Sequence, residues 1–356
     1  MRRRSPPALA VGVALVLLAA CSSSSDSSST STTHPSASTG TVAAAPTSAW
    51  KSIDRDVVAM GPDVSFLAAS VSPGGRCEPV HAVAASTARP TASQFKLFVL
   101  GALAEQIRSG QASWKQTVTV ADADRSVGNS KESGSLQFAA TGARVPVEEA
   151  ATKMISISDN TAADILAKLV GRAAVERQFA RWSDHASANT PFPTTREMIL
   201  LHYVAGLGDR YLATPKAQRA AFLTSSVDPV PLAQLASGYS ADPRFIDDIE
   251  WFASPADVCR AFAGLQQLDE QKALAPLDAI LSREDAGIGL DGSVWPTVWY
   301  KGGSEPGVLT LGWLAKNRSG RTFVVQAMVS NPDAGLSTST ITDLVGVAER
   351  AFRLLG

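Results

Sequence analysis

Ser93 and Lys96 stand three residues apart near the start of a segment whose spacing predicts a helix over residues 91–109. From Phe95 to Ala104 that segment is apolar on every face except at Lys96, the pattern of a buried helix. A lysine inside such a helix is costly unless it is paired or loses its charge. Ser93 lies on the same helical face as Lys96, and Pro90 just upstream suits the helix start, which puts Ser93 near the positive end of the helix dipole. A neutral amine in that position takes the hydroxyl proton and creates a nucleophile. The bland alternative is a capping serine and a lysine that snorkels to the surface. The chain carries its own control, because Ser48-Ala49-Trp50-Lys51 has the same spacing at the edge of a polar stretch, without the buried setting.

Two further groupings bear on the same chemistry. Ser158-Asp159-Asn160 follows one helical pattern and precedes another, so its three residues also read simply as helix caps. Trp299-Tyr300-Lys301-Gly302-Gly303-Ser304 ends a strand with a lysine and two glycines. Glycines there let a ligand or backbone approach closely, and the alternative is a bulge or a strand end.

Taken in order, the three groupings resemble the signature of class A β-lactamases and penicillin-binding proteins. The likeness runs over residues 50–356, and Thr161-Ala162-Ala163 after the triplet is similar to class A enzymes in particular. The resemblance implies that Ser93 attacks a carbonyl and forms an acyl-enzyme, with Lys96 as base. It implies that Ser158 relays a proton to the leaving nitrogen. Asn160 would bind the substrate amide and fix Lys96, while Lys301 would attract a substrate carboxylate and tune Ser158. Gly303 and Ser304 would complete the substrate-binding strand, and the backbone N–H groups of Ser93 and of Ser304 or its neighbour would form an oxyanion hole.

The chain departs from that family in two places. Gly302 replaces the usual Thr or Ser, which removes one hydroxyl donor that Ser304 only partly restores. The Glu-x-x-Leu-Asn loop, whose glutamate activates the deacylating water in class A enzymes, has no counterpart string. Glu197 is the nearest candidate for that role, and its alternative is an exposed first-turn acid complementing a helix dipole. Acylation is therefore expected to outpace deacylation.

The elements that must position these residues follow from the hydrophobic pattern. A helix around Ile53, Val57 and Val58 precedes strands at Val64 to Val71 and Val80 to Ala85, joined by a Ser-Pro-Gly-Gly turn. Helical patterns fill residues 91–109, 146–182, 194–223 and 255–280. Strands return at 298–301, 308–314 and 322–329, and a helix closes the chain at about 341–355. The expected fold is α+β: a mostly antiparallel sheet built from N- and C-terminal strands, packed with a helical subdomain, the serine β-lactamase or DD-peptidase-like arrangement.

The termini and composition bound the setting. Arg2, Arg3 and Arg4 precede a short apolar run, so residues 1–20 read as a signal peptide. Leu18-Ala19-Ala20-Cys21 resembles a bacterial lipobox, with Cys21 lipidated and the protein held outside the membrane. A plain secretory signal is the alternative. Residues 21–48 are rich in Ser, Thr and Ala and read as a flexible tether, followed by one domain over 49–356 with a helical insertion at about 196–250. Cys77 and Cys259 remain, an even number in an exported protein, which favours a disulfide over two separate buried thiols. A formal net charge of -1 and the lack of a basic cluster argue against a nucleic-acid partner. The four histidines are scattered and show no zinc spacing, so no metal and no cofactor is expected. The expected protein is a monomeric cell-envelope lipoprotein that hydrolyses a β-lactam, a peptidoglycan-like amide or an ester through Ser93. The rival reading is a catalytically inactive binding or scaffolding lipoprotein of the same fold.

Overall fold

The computed structural model describes residues 47–126, 135–237 and 240–356. The expected signal peptide, nearly all of the tether, Cys21 and His34 lie outside the described residues. Helix α1 (Thr47–Val58) leads into strands β1 (Asp63–Val71) and β2 (Cys77–Val83). Strand β3 (Arg89–Pro90) runs through a 3₁₀ turn, Ala92–Phe95, into α2 (Lys96–Arg108). The short pair β4 (Thr117–Thr119) and β5 (Arg144–Pro146) precedes α3 (Val147–Ser156), α4 (Asn160–Val170) and α5 (Arg172–Trp182). Helices α6 (Thr195–Tyr203), α7 (Leu207–Ala213) and α8 (Arg219–Phe222) follow, and β6 (Phe252–Ala253) then pairs with β3. Helices α9 (Pro255–Asp269) and α10 (Pro276–Leu281) lead to β7 (Thr297–Glu305), β8 (Val308–Lys316), β9 (Thr322–Ser330) and the final α11 (Thr340–Leu355).

The main sheet has the order β2-β1-β9-β8-β7 with every neighbouring pair antiparallel. Strand β1 pairs with β9 from Asp63↔Ser330 to Val71↔Thr322, so the N- and C-terminal parts of the chain meet in the middle of the sheet. The central strands are apolar almost throughout because both faces are covered, which is the reason that their residues do not alternate with polar ones. On one face Leu67, Ala69, Leu314, Val324 and Met328 join the core beneath the helical part. On the other Phe66, Ala68, Trp313, Phe323 and Val325 pack with residues of α1 and α11.

Helix α2 is buried through most of its length in the first of these cores. Its Gly101 admits Trp182 so closely that a Cβ would lie 2.3 Å from the indole, and Gly264 of α9 does the same at 2.4 Å. Trp182 thus wedges between α2 and α9, and either glycine replaced by a larger residue would displace it. Stacked pairs Phe95–Trp251 and Phe98–Phe179, with ring centres 3.8 Å and 3.9 Å apart, complete the packing near the start of α2. Cys77 and Cys259 form a disulfide that ties the start of β2 to α9 across 182 residues.

The start of α2 differs from the sequence expectation. Pro90 does not open the helix; it pairs with Phe252 in a two-residue bridge, and the chain tightens through the 3₁₀ turn first. The local pattern favoured a simple helix start, whereas pairing between remote segments, Thr91 with Trp251 among others, holds the turn. The control serine-lysine pair lies in α1, with Ser48 and Lys51 both exposed.

Candidate active site

The 3₁₀ turn carrying Ser93 is held from several directions. The Thr91 N–H donates to the Trp251 carbonyl (2.9 Å), and the Thr310 hydroxyl donates to the Thr91 carbonyl (3.0 Å). Gln94 and Gln326 exchange amide hydrogen bonds of 2.8 and 2.9 Å, and Gln94 also donates to the Lys301 carbonyl (2.9 Å). Gly312 makes room for that pair, since a Cβ there would lie 2.1 Å from Gln326 Oε1. Ala92, directly before Ser93, has φ +42°, a left-handed conformation that costs a non-glycine residue about 1–3 kcal/mol and persists only where the surroundings impose it.

Four oxygens surround the Lys96 amine. Nζ lies 2.9 Å from Ser93 Oγ, 2.6 Å from the Ser158 carbonyl, 3.0 Å from Ser158 Oγ and 2.7 Å from Asn160 Oδ1. Burial lowers its pKa from 10.5 to about 7, against the opposing pull of Asp159 and Asp164. In the neutral amine, two N–H groups serve the carbonyl and the amide oxygen, which can only accept, and the lone pair faces the hydroxyls. That is the state in which the amine can receive the Ser93 proton.

The Ser158-Asp159-Asn160 segment divides between a helix cap and the surroundings of Lys96. Asp159 is a helix cap: its carboxylate accepts the Ala162 N–H at 2.9 Å and the Leu136 N–H at 2.8 Å. The residues on either side point to Lys96. Ser158 has φ +56°, a second left-handed non-glycine position at the same spot. Lys301 approaches from β7, with Nζ 3.0 Å from Ser158 Oγ and 2.6 Å from the Gly302 carbonyl. Burial first, and the nearby Lys96 second, hold the Lys301 pKa well below its ordinary value. Two ammonium groups sharing the Ser158 hydroxyl would repel each other.

Strand β7 presses on the turn through Gly303, where a Cβ would meet the Thr91 carbonyl at 2.3 Å and the Ser93 nitrogen at 2.7 Å. Gly302 faces the opposite side of the sheet, where the Tyr300 hydroxyl would lie 2.1 Å from an added Cβ. A threonine or serine does not fit at Gly302 unless Tyr300 moves. Beyond Ser93 a cleft of about 50 Å³ opens between Asn160, Thr195, Trp251, Ser304 and Glu305.

The structure brings Ser93, Lys96, Ser158, Asn160 and Lys301 together, with Gly303 and Ser304 alongside. It does not bring Glu197 to them. Among the described residues, Thr195 lines the cleft and Glu197 does not. Glu197 is buried, accepts the Thr194 N–H at 2.6 Å in the capping box of α6, and binds Arg172 at 2.6 Å. It is the first-turn acid of the sequence reading, but buried and paired rather than exposed. Sequence reasoning also missed the Gln94–Gln326 clamp and Asp164, which accepts the N–H groups of Thr195 (2.7 Å) and Arg196 (2.8 Å). No local pattern marks either. The described histidines serve packing and pairing: His81 binds Asp54, His185 binds Asp257, and His202 binds the Ile249 carbonyl.

Residues 61–348 match the beta-lactamase enzyme family. Among solved structures the chain is similar to a β-lactamase from Sphaerobacter thermophilus, at 21% identity over 84% of this chain and 96% of that one, with a TM-score of 0.56. It is similar to a variant of PBP-A in acyl-enzyme complex with penicillin G, at 17% identity over 87% and 96%, TM-score 0.56. A β-lactamase from Chitinophaga pinensis is 16% identical over 86% and 98%, TM-score 0.56. No curated protein sequence matches. At these identities the solved structures bear on the fold, and they share its α+β arrangement.

Proposed function

The chain belongs to the β-lactamase enzyme family, and from that premise we propose that it forms an acyl-enzyme through Ser93 on a β-lactam, a peptidoglycan-like amide or an ester. The observation that carries the reading is the Lys96 amine, buried, lowered to about pKa 7 and 2.9 Å from Ser93 Oγ. Lys96 takes the Ser93 proton as Oγ bonds to the substrate carbonyl carbon. The proton passes through the Ser158 hydroxyl to the leaving nitrogen or oxygen, and the bond from the carbonyl carbon to that atom breaks. The N–H groups of Ser93 and Ser304 receive the developing oxyanion. Lys301, brought back to its charged form by a substrate carboxylate, holds the substrate beside Asn160. The lipobox-like segment ending in Cys21 supports a site of action outside the membrane, with the enzyme lipid-anchored.

Intact mass spectrometry of the full-length protein after incubation with a penicillin tests this reading, with Ser93→Ala in parallel. The expected result is a mass increase equal to the penicillin, or penicillin consumption, that disappears in Ser93→Ala. Neither signal with penicillin, with a p-nitrophenyl ester or with a D-Ala-D-Ala peptide would overturn it in favour of a binding role.

A further inference from the structure

A second buried cluster borders the Ser93 cleft, and none of the steps above uses it. Glu305, at the end of β7, lines the cleft beside Ser304, with 11% of its side chain exposed. Among the described residues it is the only carboxylate that does so. Glu250, in the segment before β6, is buried. Its carboxyl accepts the Trp251 N–H at 2.6 Å and also accepts the N–H of Ala92, one residue before Ser93. His202, on α6, is 1% exposed, with Nδ1 3.8 Å from Glu305 Oε2.

The protons of this cluster are few for the groups that could hold them. Among the described residues no N–H or hydroxyl donates to the buried Glu250 Oε1 or Glu305 Oε1, and the buried His202 Nδ1 has no hydrogen-bond partner. His202 Nε2 lies 2.5 Å from the Ile249 carbonyl, which only accepts, so Nε2 carries a hydrogen and Nδ1 is the ring nitrogen turned toward Glu305. Glu250 and Glu305 are within hydrogen-bonding reach of each other, and burial together with the Glu305 charge raises the Glu250 pKa well above the carboxylate range. One proton, held by Glu250, makes the bond between them. Glu305 thus borders the cleft with Glu250 and His202 packed behind it, His202 Nδ1 lying 3.8 Å from its Oε2.

We propose that Glu305, supported by Glu250 and His202, is the general base that activates water for release of the acyl group from Ser93. The inference rests on the Ser93 reading above and supplies the carboxylate that the absent Glu-x-x-Leu-Asn loop leaves missing and that Glu197 does not provide. The cleft that Ser93 and Glu305 both line, at about 50 Å³, has room for an ordered water. In the step, the water oxygen bonds to the acyl carbon as one water proton passes to the Glu305 carboxylate. The carbon–Oγ bond then breaks, its electron pair stays on Oγ, and Glu305 returns the proton there. The products are the free Ser93 hydroxyl and a carboxylic acid.

The experiment follows the penicillin adduct of full-length wild type and Glu305→Gln by intact mass after removal of free penicillin. The expected result is an adduct on Glu305→Gln whose half-life is at least tenfold longer than that on wild type. Equal half-lives would overturn the assignment of Glu305 while leaving the Ser93 reading standing. If neither protein showed a Ser93-dependent adduct or any penicillin turnover, the Ser93 reading would fall and this one with it. Should circular dichroism show Glu305→Gln unfolded, Glu305→Asp replaces it: the shortened carboxylate is expected to prolong the adduct, and a wild-type half-life would overturn the proposal.

Discussion

At the scale of single residues, the site turns on which groups carry protons. Lys96 is neutral above about pH 7 and an ammonium below it, because burial lowers its pKa to that value. Only the neutral amine can accept the Ser93 proton, so acylation is lost as the pH falls through the folded-state pKa. The rate of adduct formation is expected to be level above about pH 7 and to fall about tenfold per pH unit below it. Stopped-flow measurement with a chromogenic cephalosporin checks this, and a rate independent of pH would remove Lys96 as the base. Lys96 was legible in the sequence because a lone charge inside an apolar helix must find a partner or give up its proton. Glu305 was not, since an acid beside Pro306-Gly307 looks like any residue of an exposed turn.

At the scale of elements, β7 and the 3₁₀ turn form one unit. Gly303 is the contact between them, and the atoms nearest to its missing Cβ are backbone atoms of Thr91, Ser93 and Gln94. Backbone cannot give way as a flexible side chain can. Gly303→Ala is therefore expected to push the turn away from β7 and slow acylation by about 100-fold, the cost of a displacement of about 1 Å at a reacting centre. Circular dichroism is expected to show the fold retained. A variant that acylates at the wild-type rate would show that the turn adjusts freely. The glycine was visible in the sequence, but strand-end bulges carry glycines too. Which of the two adjacent glycines faces the turn, and which lies under Tyr300, follows only from the register of β7 on β8.

At the scale of the whole molecule, the first and last strands of the described chain build one sheet and the helices between them fill one of its faces. The Cys77–Cys259 disulfide closes a 182-residue separation across that arrangement. In the chain-entropy account, closing so long a loop stabilises the fold by about 5 kcal/mol, and losing such a bridge typically costs about 2–5 kcal/mol. Cys259→Ser is expected to lose stability in that range by urea unfolding, with reduced wild type as the comparison for the buried hydroxyl that the substitution introduces. A loss below about 1 kcal/mol would mean that the unfolded chain is already compact.

The sequence by itself determined whatever rests on periodicity or on chemistry within a few residues. That covers the buried helix with its serine and lysine, the strands at both ends of the chain, the α+β class, the Ser-Asp-Asn cap and the pairing of two cysteines. The tertiary structure decided whatever depends on distance between remote elements. Glu197 was turned into a capping and ion-pairing residue by Thr194 and Arg172. Glu305, Glu250 and His202 come from the end of β7, the segment before β6 and helix α6, and no window along the chain contains all three. The Glu250 carboxyl is raised by burial and by Glu305, and both causes come into being only when the chain is packed.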